Sequence, residues 1–180
     1  MFTPWSTFFS DEGRRYLRRS IELALDEDGP DLTAQGLFAA DAPMHAVIRA
    51  KEDTHVVGLP VIHEVFEVMG ADVEMLVEEA STVPAMTEVV RMEGPAIVLL
   101  KAERVILNFI THLSGIANLT ARYVRELEGT GVRLLDTRKT SPNNRVFEKY
   151  AVRVGGGCNH RTGLSDGVLL KDNHIGAAGG

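Results

Sequence analysis

The sequence predicts an α/β protein with a small sheet in its first half and a parallel strand–helix–strand unit near its end. Between residues 45 and 100, short runs rich in β-branched residues alternate with Gly, Pro and charged breaks, which is typical of strands. Residues 102–128 then keep a helical period. Two apolar runs, 132–135 and 167–170, flank a shorter helical pattern, the order found in parallel crossover units.

The first helix is predicted to begin after Ser10, a residue type favoured at helix N-termini. Leu17, Ile21 and Leu25 recur at every fourth position, so they should form one buried face. The opposite face carries four arginines, which we expect to meet solvent or an acidic neighbour: Arg14, Arg15, Arg18 and Arg19.

Five β-rich runs follow, and they predict a small sheet with a helix across it. The runs are 46–50, 54–57, 73–77, 87–92 and 96–100. Pro60 suits the first turn of a helix between the second and third runs. The Gly94-Pro95 pair predicts a turn that joins the last two runs as a hairpin.

Residues 102–128 predict one long helix, and we place a domain boundary at its start. The predicted domains are therefore 1–101 and 102–180. Ser114-Gly115 lies in the middle of this helix, where small residues indicate a bend or a close approach to another helix. After glycines at 129 and 131, the order is a strand at 132–135, a helix at 142–154 and a strand at 167–170.

Positive charge is concentrated in this last part of the chain. Residues 132–175 hold eight Lys or Arg against four acids, a local charge of +4, whereas the remainder sums to −10. Such a segment in an acidic protein is expected to bind a small, multiply charged anion. The candidate residues follow the two strands or lie in the loop between them: Arg138, Lys139, His160, Arg161 and Lys171. The alternative is a set of structural ion pairs with the four acids, Asp136, Glu148, Asp166 and Asp172.

The bulk composition argues against several classes of protein. The net charge of −6 disfavours general nucleic-acid binding. The sequence has no basic leader followed by an apolar run, so it does not predict a secretory signal. It also has no apolar stretch long enough to predict a membrane span. Cys158 is the single cysteine, which is compatible with a reducing cytoplasm and more typical of packing than of catalysis. The scattered His45, His55 and His63 do not predict a metal site.

Four linked motifs in the positive segment resemble the quinolinate phosphoribosyltransferase family: DTRKT, EKYAVRVGGG, NHR-x-GL-x-DGV and KDNH. The resemblance implies an N-terminal α/β sandwich followed by the first part of an incomplete α/β barrel. It also implies a pentosyltransferase, the carboxylating nicotinate-nucleotide pyrophosphorylase of NAD biosynthesis. Family members continue beyond the position of Gly180, so we expect a chain truncated before the second half of the barrel.

The resemblance implies a role for each candidate residue. Arg138, Arg161 and Lys171 would hold the carboxylates of quinolinate, with His160 alongside. Lys139 would contact phosphoribosyl pyrophosphate, and Lys139 and Lys171 would be the catalytic residues. Thr140 would lie in the loop whose backbone N–H groups bind phosphate. Arg104 would reach the site of a neighbouring subunit, which implies a homodimer.

The implied reaction joins quinolinate to phosphoribosyl pyrophosphate with loss of pyrophosphate and CO₂, aided by Mg²⁺. The family's metal-binding acids lie beyond residue 180, so no metal ligand is expected within this chain and full turnover is not expected of it. Two alternatives stay open. One is a non-catalytic anion-binding or oligomerisation fragment, and the other is a phosphoribosyltransferase-like relative from molybdate-uptake operons.

Overall fold

A computed structural model describes residues 5–179, the side chain of Thr7 excepted. The elements in chain order are α1 (Trp5–Phe8), α2 (Asp11–Asp28), α3 (Leu32–Leu37), β1 (Pro43–Arg49), β2 (Thr54–His55), α4 (Leu59–Met69), β3 (Asp72–Met75), β4 (Thr82–Val83), β5 (Glu88–Pro95), α5 (Ala96–Glu126), α6 (Arg145–Val154) and α7 (Asp172–Ala177). None of the described helices has the length and apolar character that a membrane span requires.

The first half contains a three-stranded antiparallel sheet in the order β1-β5-β3, with β2 and β4 as a separate pair. The central strand β5 aligns Met92 with Ala46 of β1 and with Val73 of β3. Helices α4 and α5 pack against this sheet. The predicted small sheet with a helix across it is therefore confirmed, and so is the α/β class.

The predicted strand at 96–100 is wrong, and so is the hairpin at Gly94-Pro95. Pro95 ends β5 and directly precedes α5, which begins at Ala96 rather than at residue 102. Ala96 and Leu99 are buried on the same helical face as Ala102. A short apolar run suits a buried helix as well as a strand, and here the helical period continues through it. The boundary predicted near Lys101 lies inside this unbroken helix and stays a prediction.

One hydrophobic core joins the two halves of the described chain. Leu17, Ile21 and Leu25 of α2 are buried in it, as their spacing predicted. The core continues through α4 and α5 to Phe147 and Tyr150 of α6. On the outer face of α2, the Arg18 Nε atom lies 2.9 Å from the Glu64 Oε2 atom, which confirms the expected acidic neighbour for one of the four arginines.

The polar residues in the middle of α5 hold the chain around β2. The Ser114 hydroxyl oxygen accepts from the Val57 N–H at 3.0 Å and is buried. Asn118, one turn later, accepts from the His55 N–H at 3.0 Å and donates to the Thr54 hydroxyl at 2.6 Å. The close approach predicted from Ser114-Gly115 is therefore made by the β2 segment rather than by another helix.

The two strands predicted for the last part of the chain are not formed as predicted. The 132–135 run contributes only one parallel bridge, from Leu135 to Cys158. The 167–170 run is not a strand, and Val168 is 95% exposed. A strand requires a hydrogen-bonded neighbour, and the first run pairs with residues around Cys158 instead of with the second run. The described residues thus form no closed barrel.

Candidate anion-binding site

Helix α6 lies in sequence between the two segments that carry most of the predicted site residues and is anchored in the core. It begins at Arg145 rather than at residue 142, after a turn in which Asn143 adopts a φ of 63°. This left-handed conformation is one that asparagine tolerates better than most residues. Phe147 and Tyr150 anchor the helix in the core, where both are at most 1% exposed.

Two segments run parallel above α6 and carry most of the predicted site residues. The Cys158 N–H donates to the Leu134 carbonyl at 2.8 Å, and the Asp136 N–H donates to the Cys158 carbonyl at 3.0 Å. Arg138 follows three residues after the bridge on the first segment, and Arg161 three residues after it on the second. The structure therefore places the two predicted arginines on adjacent parallel segments.

A buried polar cluster fixes these segments to each other. We call Asp136, Lys149 and Asn159 the Asp136 clamp. The Lys149 Nζ atom donates to Asp136 Oδ1 at 2.6 Å and to the His160 carbonyl at 2.9 Å. The Asn159 amide donates to Asp136 Oδ2 at 2.7 Å and to the Lys149 carbonyl at 2.9 Å. The side chains of Lys149 and Asp136 are only 1% and 8% exposed.

The guanidinium groups of Arg138 and Arg161 have no acidic partner within 4.0 Å in residues 5–179. Their Nε atoms are buried, and neither has a hydrogen-bond partner in that part of the chain. Arg161 donates through Nη1 to the Gly167 carbonyl at 2.6 Å, which fixes the direction of its side chain. Buried donors normally find acceptors in a folded protein. These two Nε donors therefore indicate a binding site for an anionic ligand.

Three of the nearby acids are occupied by other groups. Asp136 belongs to the clamp, and Glu148 contacts His112 at 3.0 Å. Asp166 accepts from the Thr162 hydroxyl and N–H, each at 2.6 Å, and from the Gly163 N–H at 2.9 Å. These hydrogen bonds, led by that of the Thr162 hydroxyl, hold the pKa of Asp166 well below its usual range. Within the described residues, the alternative of structural ion pairs applies to Lys149 but not to the five predicted cations, His160 included.

Main-chain donors determine the tautomers of two histidines. The Arg161 N–H donates to His160 Nδ1 at 2.7 Å, and the Lys171 N–H donates to His174 Nδ1 at 3.0 Å. A backbone N–H can only donate, so each Nδ1 atom is unprotonated and each ring carries its proton on Nε2. His160 is exposed, and its Nε2–H is thus available to an anion.

The remaining predicted residues are less tightly placed. Lys139 and Lys171 are exposed, and Lys171 directly precedes α7. Thr140 accepts through its hydroxyl from Arg145 Nε at 3.3 Å. Arg104 lies exposed on α5, and in the described residues no hydrogen bond or ion pair connects it to the parallel segments. Arg138, His160 and Arg161 therefore lie within three residues of the Leu135–Cys158 bridge, whereas Lys171 and Arg104 do not.

Sequence reasoning missed the Asp136 clamp and the role of Arg145. Arg145 also donates to the Thr162 carbonyl at 3.3 Å, so it connects the loops on either side of α6. A signal for Lys149 was present, because it follows Val146 by three positions and so lies near the buried face of the helix. A cleft of about 740 Å³, bordered by Tyr16, Lys149 and Thr162, is lined by neither Arg138 nor Arg161.

Tyr150 joins α6 to the first half of the chain through Glu79. The Tyr150 hydroxyl donates to Glu79 Oε1 at 2.9 Å, and the same carboxylate accepts from the N–H groups of Gly58 and Leu59 at 2.9–3.1 Å. Burial raises the pKa of Glu79 although these hydrogen bonds oppose the shift. Burial, with the Glu79 charge, raises the pKa of Tyr150 as well.

A Tyr150→Phe variant is expected to lose about 1.5–3 kcal/mol of unfolding free energy near neutral pH, because an ionised, largely buried carboxylate loses a donor. Since the native pKa of Glu79 is raised, the native state holds its proton more tightly than the unfolded state. The contribution of Glu79 to the free energy of unfolding therefore falls as the pH rises above 4.5, the ordinary pKa of a glutamate. The loss caused by the variant should consequently be larger at about pH 7.5 than at about pH 5 in urea unfolding. Tyr123→Phe, at an exposed position, is the control, and equal losses at both pH values would contradict the expectation.

Comparison with known proteins identifies the family to which this geometry belongs. Residues 31–114 match the family model of the quinolinate phosphoribosyl transferase N-terminal domain, and residues 116–180 match that of its C-terminal domain. The chain is 42% identical to a probable carboxylating nicotinate-nucleotide pyrophosphorylase of Bacillus subtilis over 83% of this chain and 52% of the relative. It is 47% identical to a Synechocystis protein of the same description over 87% of this chain and 54% of that relative.

Solved structures give the same result. The nicotinate-nucleotide pyrophosphorylase from Francisella tularensis superposes with a TM-score of 0.83 at 39% identity, over 92% of this chain and 60% of that one. The enzyme of the same name from Ehrlichia chaffeensis also gives 0.83 at 39% identity, over 89% and 60%. The chain thus spans between about half and 60% of the length of these relatives. With both domain models matched in order, the chain belongs to the quinolinate phosphoribosyltransferase family.

Proposed function

We propose that this chain binds quinolinate and takes part in its conversion, with phosphoribosyl pyrophosphate, to nicotinate mononucleotide, pyrophosphate and CO₂ in NAD biosynthesis. The observation that supports it best is the pair of arginines, Arg138 and Arg161, whose buried Nε donors have no partner in the described residues. Quinolinate is a planar pyridine with two adjacent carboxylates. Two guanidinium groups on parallel segments match such a ligand, because guanidinium binds carboxylate through two donors at once.

The other predicted residues complete this proposal. His160 presents Nε2–H beside Arg161 and donates to a carboxylate. Lys139 and Thr140 follow the same segment as Arg138 and contact the phosphoribosyl pyrophosphate. Lys171 lies at the start of α7 and contacts both substrates. Lys139 and Lys171 are the proposed catalytic residues, since their charges stabilise the negative charge that develops on the leaving pyrophosphate.

The proposed reaction needs no covalent nucleophile from the protein. The ring nitrogen of quinolinate forms a bond to C1 of the ribose while the bond from C1 to the pyrophosphate oxygen breaks. The ring nitrogen is then cationic, so the bond between the neighbouring ring carbon and its carboxylate breaks and CO₂ leaves. The electron pair of that bond stays on the ring carbon next to N⁺, which then takes a proton from water to give nicotinate mononucleotide. Holding both substrates in this geometry is the main contribution of the arginines and lysines.

Mg²⁺ enters the proposal only as the counter-ion of phosphoribosyl pyrophosphate, whose phosphates carry several negative charges. The residues that the structure describes contain no group of three His, Cys, Asp or Glu side chains suited to a metal ion. No protein ligand to Mg²⁺ is therefore assigned among them.

We also propose a homodimer that works in the cytoplasm. Arg104 is exposed on α5, and among the described residues its side chain has no hydrogen bond or ion pair. It is therefore available to reach the substrate site of a second copy.

Calorimetric titration of the purified chain with quinolinate tests the proposal. We expect saturable binding that weakens at least about tenfold, or about 1.4 kcal/mol, in Arg138→Lys and in Arg161→Lys, because lysine keeps the charge but not the paired donors. Arg133→Lys is the matched control, since Arg133 is exposed on the same segment. Nicotinate, which has one carboxylate, should bind more weakly than quinolinate. An affinity that neither substitution changes would refute the assignment.

A further inference from the structure

We infer that Lys149 and Asp136 are positioning residues that hold His160 in the orientation and tautomer in which its Nε2–H meets a carboxylate of the ligand. This inference rests on the proposed function, because it concerns how the quinolinate site is kept in shape. Neither side chain is itself directed at the ligand in this arrangement, since both are buried in the Asp136 clamp.

The Asp136 clamp forms hydrogen bonds with both the N–H and the carbonyl group of His160. The His160 N–H donates to Asp136 Oδ1 at 2.7 Å, and the His160 carbonyl accepts from Lys149 Nζ at 2.9 Å. The same Asp136 oxygen accepts from Lys149 Nζ at 2.6 Å. One ion pair therefore satisfies both backbone groups of a residue that lies in an exposed loop, and the peptide planes around His160 are fixed.

The imidazole ring is fixed by the next residue. The Arg161 N–H donates to His160 Nδ1 at 2.7 Å. This bond forms only while the backbone of His160 and Arg161 keeps the orientation that the clamp imposes. With Nδ1 engaged by the Arg161 main chain, the ring has one donor left, Nε2–H.

The buried ion pair between Lys149 and Asp136 is not needed for stability alone. Removing two charges from water costs several kcal/mol, and apolar residues of similar volume often stabilise a core at least as well. What the pair does supply is a defined geometry, since both charges and the Asn159 amide must meet at fixed distances. Asp136 lies two residues before Arg138, and His160 directly precedes Arg161. The clamp therefore also holds the main chain close to both arginines.

A Lys149→Met variant tests the inference, because methionine keeps most of the side-chain volume and removes the ammonium. We expect quinolinate affinity to fall about tenfold to a hundredfold, the range found when residues that orient ligand-binding groups are replaced. The ¹⁵N spectrum of His160 supplies the second readout. In the unmodified chain at a pH where the ring is neutral, we expect the single Nε2–H tautomer, whereas the variant should show a mixture of the two tautomers.

Tyr150→Phe is the matched control, since Tyr150 is the neighbouring buried residue of α6 and its hydroxyl donates to Glu79. It should lower the melting temperature without changing the tautomer or the affinity. If Lys149→Met does not fold, Asn159→Ala removes a donor from the same carboxylate and should give both changes to a smaller extent.

The outcomes separate the two proposals. Quinolinate binding that is equally strong in the parent chain and in Lys149→Met, with the same single tautomer, overturns the positioning role and leaves the proposed function standing. A parent chain that does not bind quinolinate refutes the proposed function, and the positioning role with it, whatever the tautomer. Reduced affinity together with a mixed tautomer supports both.

Discussion

A Gly155→Ala variant is expected to lose about 3 kcal/mol of unfolding free energy or to fail to fold, because α6 ends against the middle of α5 without room for a side chain. A Cβ atom at this position would overlap the Ala117 carbonyl oxygen and lie 2.6 Å from Thr120 Cβ. The glycine has a φ of −71°, so its backbone conformation suits any residue. The expected loss is therefore purely steric.

Urea unfolding monitored by circular dichroism measures this loss. Gly115→Ala is the control, because Gly115 lies within α5 and a Cβ there would have nothing within 4 Å. The control is expected to gain up to about 1 kcal/mol from the better helix propensity of alanine. If both variants unfolded at the same urea concentration as the parent chain, the close approach of α6 to α5 would be disproved.

Phe147→Ala is expected to cost about 3–5 kcal/mol, the usual effect of removing a buried aromatic ring. Phe147 is 1% exposed, and its ring centroid lies 5.5 Å from those of both Phe9 and Phe109. It thus attaches α6 to the start of the chain and to α5 at once. Because α6 carries Lys149, the loss should also reduce quinolinate binding.

Thermal unfolding and calorimetry on the same variant check these two effects. Tyr123→Ala removes an aromatic ring that is 55% exposed on α5 and should change stability by no more than about 0.5 kcal/mol. Similar losses in the two variants would mean that the ring cluster does not anchor α6.

Helical periods were the part of the fold that the sequence predicted best. Leu17, Ile21 and Leu25 were expected on one buried face of α2, and all three are buried there. Local spacing alone decides such a face, since residues four apart always lie on the same side of a helix. Residues 96–100 were assigned to a strand because an apolar run of that length does not reveal its own period.

Strand partners were predicted less well, because pairing is a property of two distant segments. Residues 132–135 and 167–170 both have the composition of buried strands, yet Leu135 pairs with Cys158 and Val168 is exposed. Nothing in the local composition around Cys158 marks it as the partner. Its glycine-rich neighbours, Gly155 and Gly157, indicate a turn rather than a bridge.

The sequence predicted the charged residues of the candidate site but not the buried hydrogen bonds that hold them in place. The excess of Lys and Arg pointed to Arg138 and Arg161, which the structure leaves without acidic partners in the described residues. Composition could not show which cation Asp136 neutralises, because the four acids of the segment were equally available. The partner, Lys149, depends on burial, and the tautomer of His160 depends on a hydrogen bond from the Arg161 N–H.

The position of α5 limits how the two domain segments of this family can be exchanged between members. Its 31 residues extend about 46 Å and carry the end of one family segment and the beginning of the next. Chimaeras that exchange the two segments must therefore have their junction within a continuous helix rather than in a flexible linker. A single inserted residue before Leu113 would turn everything after it by about 100° relative to the first half, so that Phe147 and Tyr150 would no longer meet Phe9 and Glu79. Such exchange should succeed only where the number of helical residues is conserved.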